Sequence, residues 1–379
     1  MYITLYLTDV GQWGELSPKL LEPGGRGLGG RETCLIEISK RLAEAGHEVE
    51  VLAPCRPGEY NGVKWRNEAE AYQAGRRAAD VAVSFSGANV WARRGLPGKL
   101  HVIHEQCAHL GLGRYDQLVD AYLLLSKWQG WHLNYYDPAI DTDKMLVVYN
   151  GINPERYAGE NPKARHPHRI FYSSSPDRGL HHLLAGWELI RQEIPDAELW
   201  IFYSVESWLE RVRWRMDSLG RRANLIQPYF DNPPEGITWW GMVDQWELAR
   251  GQRQCSLWAY PADPTQGTET FCITGLEAAA AGCTMYTTNA DCLPEIYGRV
   301  AAMAALPTDG QLFAGGVIEL LTNEEVAAQY RPGLEFAETY TWDRVANRWL
   351  EALESLAAGE WPELEDWTDG QNSDTRGAS

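Results

Sequence analysis

The chain has 379 residues, too long for one ordinary core at the usual ~100–200 residues per domain, so two domains are expected. Its formal charge of −18 repels phosphate backbones and anionic lipid, which makes nucleic acid and membranes disfavoured partners. Seven cysteines without a C-x-x-C pair argue against a disulfide framework or a structural zinc site and for a reducing cytosol.

In chain order, short β-rich runs alternate with helical stretches. They are "YITLYL" (2–7), a helix from about Glu32 to Ala45, "VEVLA" (49–53), "DVAVSF" (80–85), "LHVIH" (100–104), "DAYLLLS" (120–126) and "KMLVVYN" (144–150). Such alternation predicts βαβ units around a parallel sheet. The polar stretch "YAGENPKARHPHR" (157–169) reads as a linker, after which the pattern restarts. "IFYSS" (170–174) leads into one helix over 179–195, then "AELWIFY" (197–203), "GITWWG" (236–241), a helix over 244–252, "CSLWAYP" (255–261) and "CTMYTT" (283–288).

The expected fold class is therefore α/β, two Rossmann-like doubly wound domains facing across a cleft, with the ligand beyond the carboxyl ends of the strands. The segments "CRPGEYNGVKW" (55–65) and "ANVWARRGLPGK" (88–99) read as variable loops. No eighteen apolar residues follow one another, so no transmembrane segment is expected and the protein should be soluble and cytoplasmic.

Several motifs carry chemistry. "EPGGRGLGGRE" (22–32) places glycines, Gly29 and Gly30 among them, at a helix start, where backbone N–H groups can approach a phosphate or sugar. "SSSPDRGLHHLL" puts Arg178 in a turn beside another helix start, a fit for a diphosphate, with a surface arginine as the plain alternative. In "TETFCITGLEAAAAGC" (268–283), Glu269 precedes a helix and Glu277 lies in its early turns, with the amides of Phe271, Cys272 and Ile273 between them. A carboxylate suits paired ribose hydroxyls. "LHVIHEQCAH" invites a metal reading, but neither His101 with His104 nor His104 with His109 has a ligand spacing; His104, at its strand end, is better placed to meet substrate or to be a satisfied structural histidine.

Together, "GGRETCLIEISKRLAEAGHEVEVL" (29–52), "VVYNGINPERY" (147–157), "SSPDRGLHHLL" (174–184), "WWGMVDQWELA" (239–249) and "ETFCITGLEAAAAG" (269–282) resemble, in order, the segments of the retaining GT-B glycosyltransferases of family 4. That resemblance implies an acceptor-binding domain at 1–157 and a nucleotide-sugar domain at 158–335; the amphipathic helix at 336–358 is expected to cross back to the first domain, and the acidic, polar tail at 359–379 to be flexible. It implies that Glu269 and the amides after it contact the transferred sugar, Glu277 holds the ribose, and Ser173, Arg178 and Gly241 line the donor site. His104 would lie near the sugar. No metal and no cofactor beyond the donor, a UDP- or GDP-sugar, would be needed. The acceptor hydroxyl could belong to a polysaccharide, a small molecule or a protein.

Two departures stand out. Ser173 occupies a position where the family usually has arginine, and Cys272 one where it commonly has glycine. They motivate a second reading, a nucleotide-sugar-binding protein with lost turnover. A third, glycosylation of hydroxymethylated bases in DNA, would use a basic and aromatic rim of Arg76, Arg77, Trp91, Arg93 and Arg94, against the net charge.

Overall fold

The computed structural model describes residues 1–8, 14–92, 95–107, 111–159, 164–263, 269–306 and 308–367. It divides into two compact units. Residues 1–21, 28–151 and 339–379 form the first, and residues 22–27 and 152–338 the second.

The first unit is built on strands β1 (Tyr2–Tyr6), β2 (Glu48–Ala53), β3 (Gly58–Tyr60), β4 (Val63–Asn67), β5 (Ala79–Ser84), β6 (Gly98–His104), β7 (Ala121–Leu124) and β8 (Met145–Val147). Among the described residues they form one sheet in the order β3-β4-β2-β1-β5-β6-β7-β8, parallel except for β3. Ile3, Leu5, Val51, Val81, Val83 and Val102 are fully enclosed, because helices on both faces leave no side of a parallel strand to water. β3 and the first three residues of β4 lie in the stretch read as a variable loop. They form a hairpin around Asn61 (φ 52°) and Gly62 (φ 74°), the pair of left-handed residues that a two-residue turn demands.

The helix Trp342–Ala358 belongs to this unit and packs against the helix Gly30–Glu44, where Arg41 donates to Asp343 at 2.6 Å. The tail after it departs from the flexible expectation over 360–367. Trp367 stacks on Tyr149 with ring centroids 5.2 Å apart and meets the guanidinium groups of Arg344 and Arg348 at 5.2 and 5.0 Å. Lys127 pairs with Asp366, and Arg348 donates to the Glu365 carbonyl. An acidic sequence is held here because aromatic and cationic partners await it. Residues 368–379 lie outside the described residues. Trp367→Ala should lower stability by about 1–2 kcal/mol, the sum of a ring pair and a partly exposed cation–π contact, read as a drop in the urea midpoint at unchanged slope.

The second unit is built on β9 (Arg169–Tyr172), β10 (Glu198–Ile201), β11 (Ile237–Trp239), β12 (Leu257–Tyr260), β13 (Thr284–Thr288) and β14 (Ala302–Ala304). Their order is β11-β10-β9-β12-β13-β14, all parallel, with Leu257 beside Ile170 and Trp258 beside Phe171 in the central pair. The helix expected over 179–195 is two, Leu180–Ala185 and Trp187–Glu193, broken where Gly186 is pressed against the Gly310 carbonyl.

The boundary between the units falls after Gly151 rather than after 157. The turn Pro154–Tyr157 belongs to the second unit because Tyr157 donates to Gln252 at 2.7 Å and Arg156 donates to Gln245. The glycine-rich loop is also divided. Gly24 donates its N–H to Asp244 at 2.9 Å, which ties residues 22–27 to the second unit. No helix among the described residues is long and apolar enough to cross a membrane.

Candidate active site

In an open parallel sheet, the chain leaves neighbouring central strands in opposite directions at one point, opening a crevice at their carboxyl ends. In the second unit that point lies between β9 and β12. Seven of the predicted residues come from the segments that follow these two strands: Ser173 and Arg178 after β9, and Glu269, Phe271, Cys272, Ile273 and Glu277 after β12.

After β9 the chain makes the turn Pro176–Arg178 and enters a helix through Gly179, whose φ of 112° and contact with the Pro261 carbonyl leave no room for a side chain. This close approach fixes Arg178 over the end of β12. Its Nη1 lies 3.3 Å from Glu269 Oε1, the same oxygen that accepts from the Tyr260 hydroxyl. The Glu269 N–H donates to Asp291 at 2.9 Å. Burial pushes the Asp291 carboxyl up to about 6, against the lowering from that N–H.

Phe271 is buried, and Cys272 caps the helix Ile273–Ala280 in the left-handed region, φ 70° and ψ 74°. A glycine would be the ordinary residue at such a backbone. The Cys272 carbonyl accepts from Tyr297 at 2.6 Å, and its Sγ lies 3.4 Å from Thr274 Oγ1, so the buried side chain turns back into its own helix start. Cys272→Gly should leave stability within about 1 kcal/mol, relief of backbone strain offsetting lost burial, as thermal unfolding would read.

Glu277 is 9 % exposed, and burial pushes its carboxyl up to about 7, against the lowering from the Gln252 amide and Arg156. Gln252 Nε2 donates to Glu277 Oε2 at 3.0 Å, while Gln252 Oε1 accepts from Tyr157. Ser173 Oγ lies 3.5 Å from the same Gln252 nitrogen, so a neutral amide adjoins Ser173. Gly241 follows β11 at φ 71°.

Sequence reasoning missed several members of this site. Arg156, Tyr157 and Gln252 stand inside or beside quoted motifs, and their helix and turn positions could have drawn notice. Asp291 and Arg222 carry no local signal. Arg222, 5 % exposed, donates to the Asp177 carbonyl and to Asp263 Oδ2, both at 2.6 Å, and so braces the turn that carries Arg178. His181, His182 and Asp263 lie within 4.8 Å of one another at their ligand atoms, but a metal there would compete with Arg222 for the Asp263 oxygen. Burial, with His182 and Arg222 adding to it, pushes His181 down to about 3.

Gly29, Gly30 and His104 lie in the first unit. Gly29 caps the helix Gly30–Glu44 with an extended backbone, φ −71° and ψ 163°, and no side-chain cap. His104 is 1 % exposed, with Nδ1 3.0 Å from the Leu123 carbonyl, Nε2 beside the Gln106 amide and the Cys34 thiol, and its ring against Phe85 and Trp349. Burial pushes its pKa down to about 3, so it is neutral, with Nδ1–H donating to Leu123. Of the two expectations for His104, this packing is that of the satisfied structural histidine. Of the residues named for a DNA-binding rim, Arg76 pairs with Glu50, Arg77 with Glu48 at 2.7 Å, and Trp91 is buried on His101. Arg93, Arg94 and His109 lie outside the described residues.

No protein-family model and no curated protein matches the chain. Solved structures do match. AviGT4, a glycosyltransferase involved in avilamycin A biosynthesis, superposes with a TM-score of 0.65 at 17% identity over 94% of this chain and 98% of its own. Sucrose-phosphate synthase from Thermosynechococcus elongatus gives 0.71 at 16% identity, over 95% and 100%. HepE from Anabaena, in complex with UDP and glucose, gives 0.65 at 15% identity, over 94% and 100%. The fold is GT-B. At such identities the likeness is one of fold, and the GT-B assignment places the β9 and β12 strand ends within a known architecture without naming a substrate.

Proposed function

We propose that this GT-B protein is a retaining, metal-independent hexosyltransferase that moves sugar from a nucleoside diphosphate donor to a hydroxyl acceptor. One observation carries the reading: Arg178 and Glu269 meet at 3.3 Å at the crossover of the second sheet, where the helix bearing Glu277 begins. Arg178 suits the diphosphate, Glu269 with the amides of Phe271, Cys272 and Ile273 the hexose, and Glu277 the ribose. HepE has been solved in complex with UDP-glucose, and the pneumococcal O-GlcNAc transferase GtfA with UDP and GlcNAc, which favours a UDP-sugar as the first donor to try.

In the step envisaged, the acceptor oxygen attacks the anomeric carbon on the face that the phosphate leaves. The bond from that carbon to the β-phosphate oxygen breaks, and the leaving oxygen takes the acceptor's proton. Charge grows on the phosphate, and a guanidinium already in place stabilises it without reorganisation. His104, enclosed and neutral, is left out of the chemistry.

A thermal-shift panel of UDP-, GDP-, ADP- and TDP-sugars with their free nucleotides tests the reading. Ligand at 100 times its dissociation constant adds about 2.7 kcal/mol of stability, enough for a selective shift. Hydrolysis and transfer assays then follow with the donor that shifts. Ser173 beside a neutral amide favours one second reading, a binding protein without turnover. It predicts a nucleotide-sugar shift with neither hydrolysis nor transfer to any hydroxyl compound, and no shift at all would defeat both.

A further inference from the structure

The helices Val205–Val212 and Ser218–Asp231 of the second unit are joined by a turn with an unusual surface. Trp214 is 78 % exposed and Met216 96 % exposed, together in one turn, where the exposed tryptophans Trp131, Trp361 and Trp240 stand at 59, 47 and 40 %. Arginines 211, 213, 215 and 221 surround them in sequence, all exposed. Among the described residues, Arg211, Arg213 and Arg221 make no ion pair, while Arg215 pairs with Asp217. The nearest other acids in sequence are Glu206 and Glu210. From 211 to 221 the segment thus carries four arginines against one aspartate, in a protein of net charge −18.

The turn is built rather than loose. Arg213 N–H donates to Leu209 and Arg215 N–H to Val212, at 2.9 and 3.0 Å. Asp217 caps the second helix by accepting from Leu219 and Gly220, and holds Arg215 Nε at 2.8 Å. The Arg213 guanidinium lies 4.9 Å from the Trp214 ring. Two apolar side chains are therefore held out from a fixed backbone, which spares the ordering cost of a mobile loop on binding.

We propose that the turn Arg213–Asp217, with Arg211 and Arg221 flanking it, docks on an anionic lipid surface, Trp214 and Met216 entering the headgroup region and the arginines meeting lipid phosphates. The charge selects the partner. A second copy of this chain would bring another −18, and an uncharged partner would leave the arginines unanswered. The protein's remaining acids are screened beyond a Debye length of about 8–10 Å, so the local sign governs contact. Met216 separates lipid from nucleic acid: a base can stack on Trp214, but a thioether chain has no flat face for a base and no apolar phase along a phosphate backbone, whereas lipid tails offer one. The inference does not rest on the transferase reading.

Co-sedimentation with sucrose-loaded vesicles tests it. The full chain should pellet with phosphatidylcholine vesicles containing about one third phosphatidylglycerol, stay in solution with phosphatidylcholine alone, and be released by salt. The double variants Trp214→Ala/Met216→Ser and Arg211→Glu/Arg213→Glu should each lower the partition coefficient at least about tenfold, with unchanged urea midpoints because all four side chains are exposed. Wild type left in the supernatant, equal pelleting with neutral vesicles, or a double variant that pellets as wild type would overturn the proposal. So would a fluorescent single-stranded oligonucleotide whose binding, unlike vesicle binding, is lost with these substitutions.

Discussion

Replacing Arg178 by alanine is expected to lower turnover of the donor sugar by about 10²–10³-fold, the usual loss when one preorganised donor to developing charge is removed. The expectation is large because Ser173 supplies no second cation at this end of the sheet and Arg222 is committed to Asp263 and the Asp177 carbonyl. Stability should fall as well, since Arg178 and Glu269 are only 27 % and 13 % exposed and the truncation leaves a largely buried carboxylate without this cation, so turnover is compared on protein shown to be folded. Lysine should restore part of the rate: it keeps the charge but not the planar fork that can hold two phosphate oxygens. Binding of a nucleoside monophosphate should be preserved while that of the diphosphate weakens, which calorimetry with UMP and UDP separates. A variant within threefold of wild-type turnover would remove Arg178 from the diphosphate.

The sheets were readable because parallel strands covered on both faces need continuous apolar runs, as in "DVAVSF" and "AELWIFY". Periodicity could not reveal the hairpin at 58–67, whose exposed edge strand alternates with polar residues. Its one clear mark, the Asn61-Gly62 pair, was there to be read. At the site, local sequence marked Glu269, Glu277 and Arg178, because a helix start announces itself through turn residues and small side chains. Tertiary pairing supplied the rest. Arg222 reaches Asp263 across 41 positions and Gln252 reaches Glu277 across 25, distances over which no spacing rule operates. The tail failed for the same reason, since its composition says nothing of Tyr149, Arg344 and Arg348 waiting for Trp367.

Glu277→Gln should stabilise the protein while weakening its hold on nucleotide, and pH should separate the two effects. Burial raises the Glu277 carboxyl from 4.5 to about 7, so between those values the folded protein holds a proton that the unfolded chain has released. Stability then falls as pH rises through this window and is level above it. The full cost of keeping the buried carboxylate ionised is about 3 kcal/mol, and glutamine, neutral at every pH, avoids it while its carbonyl can still accept from Gln252. At pH 8 the variant should therefore be more stable by up to about 3 kcal/mol, an advantage that fades towards pH 4.5. Nucleotide binding runs the other way. Ribose hydroxyls bind an ionised acceptor about 1.5–3 kcal/mol better than none, so wild-type affinity should climb with pH to a plateau above 7, while the variant binds about ten- to a hundredfold more weakly at pH 8 with little pH dependence. Urea titrations and calorimetry across pH 5 to 8 would read both curves. A variant that gains stability yet binds UDP as tightly as wild type would move the ribose elsewhere and leave Glu277 a buried acid without a ligand.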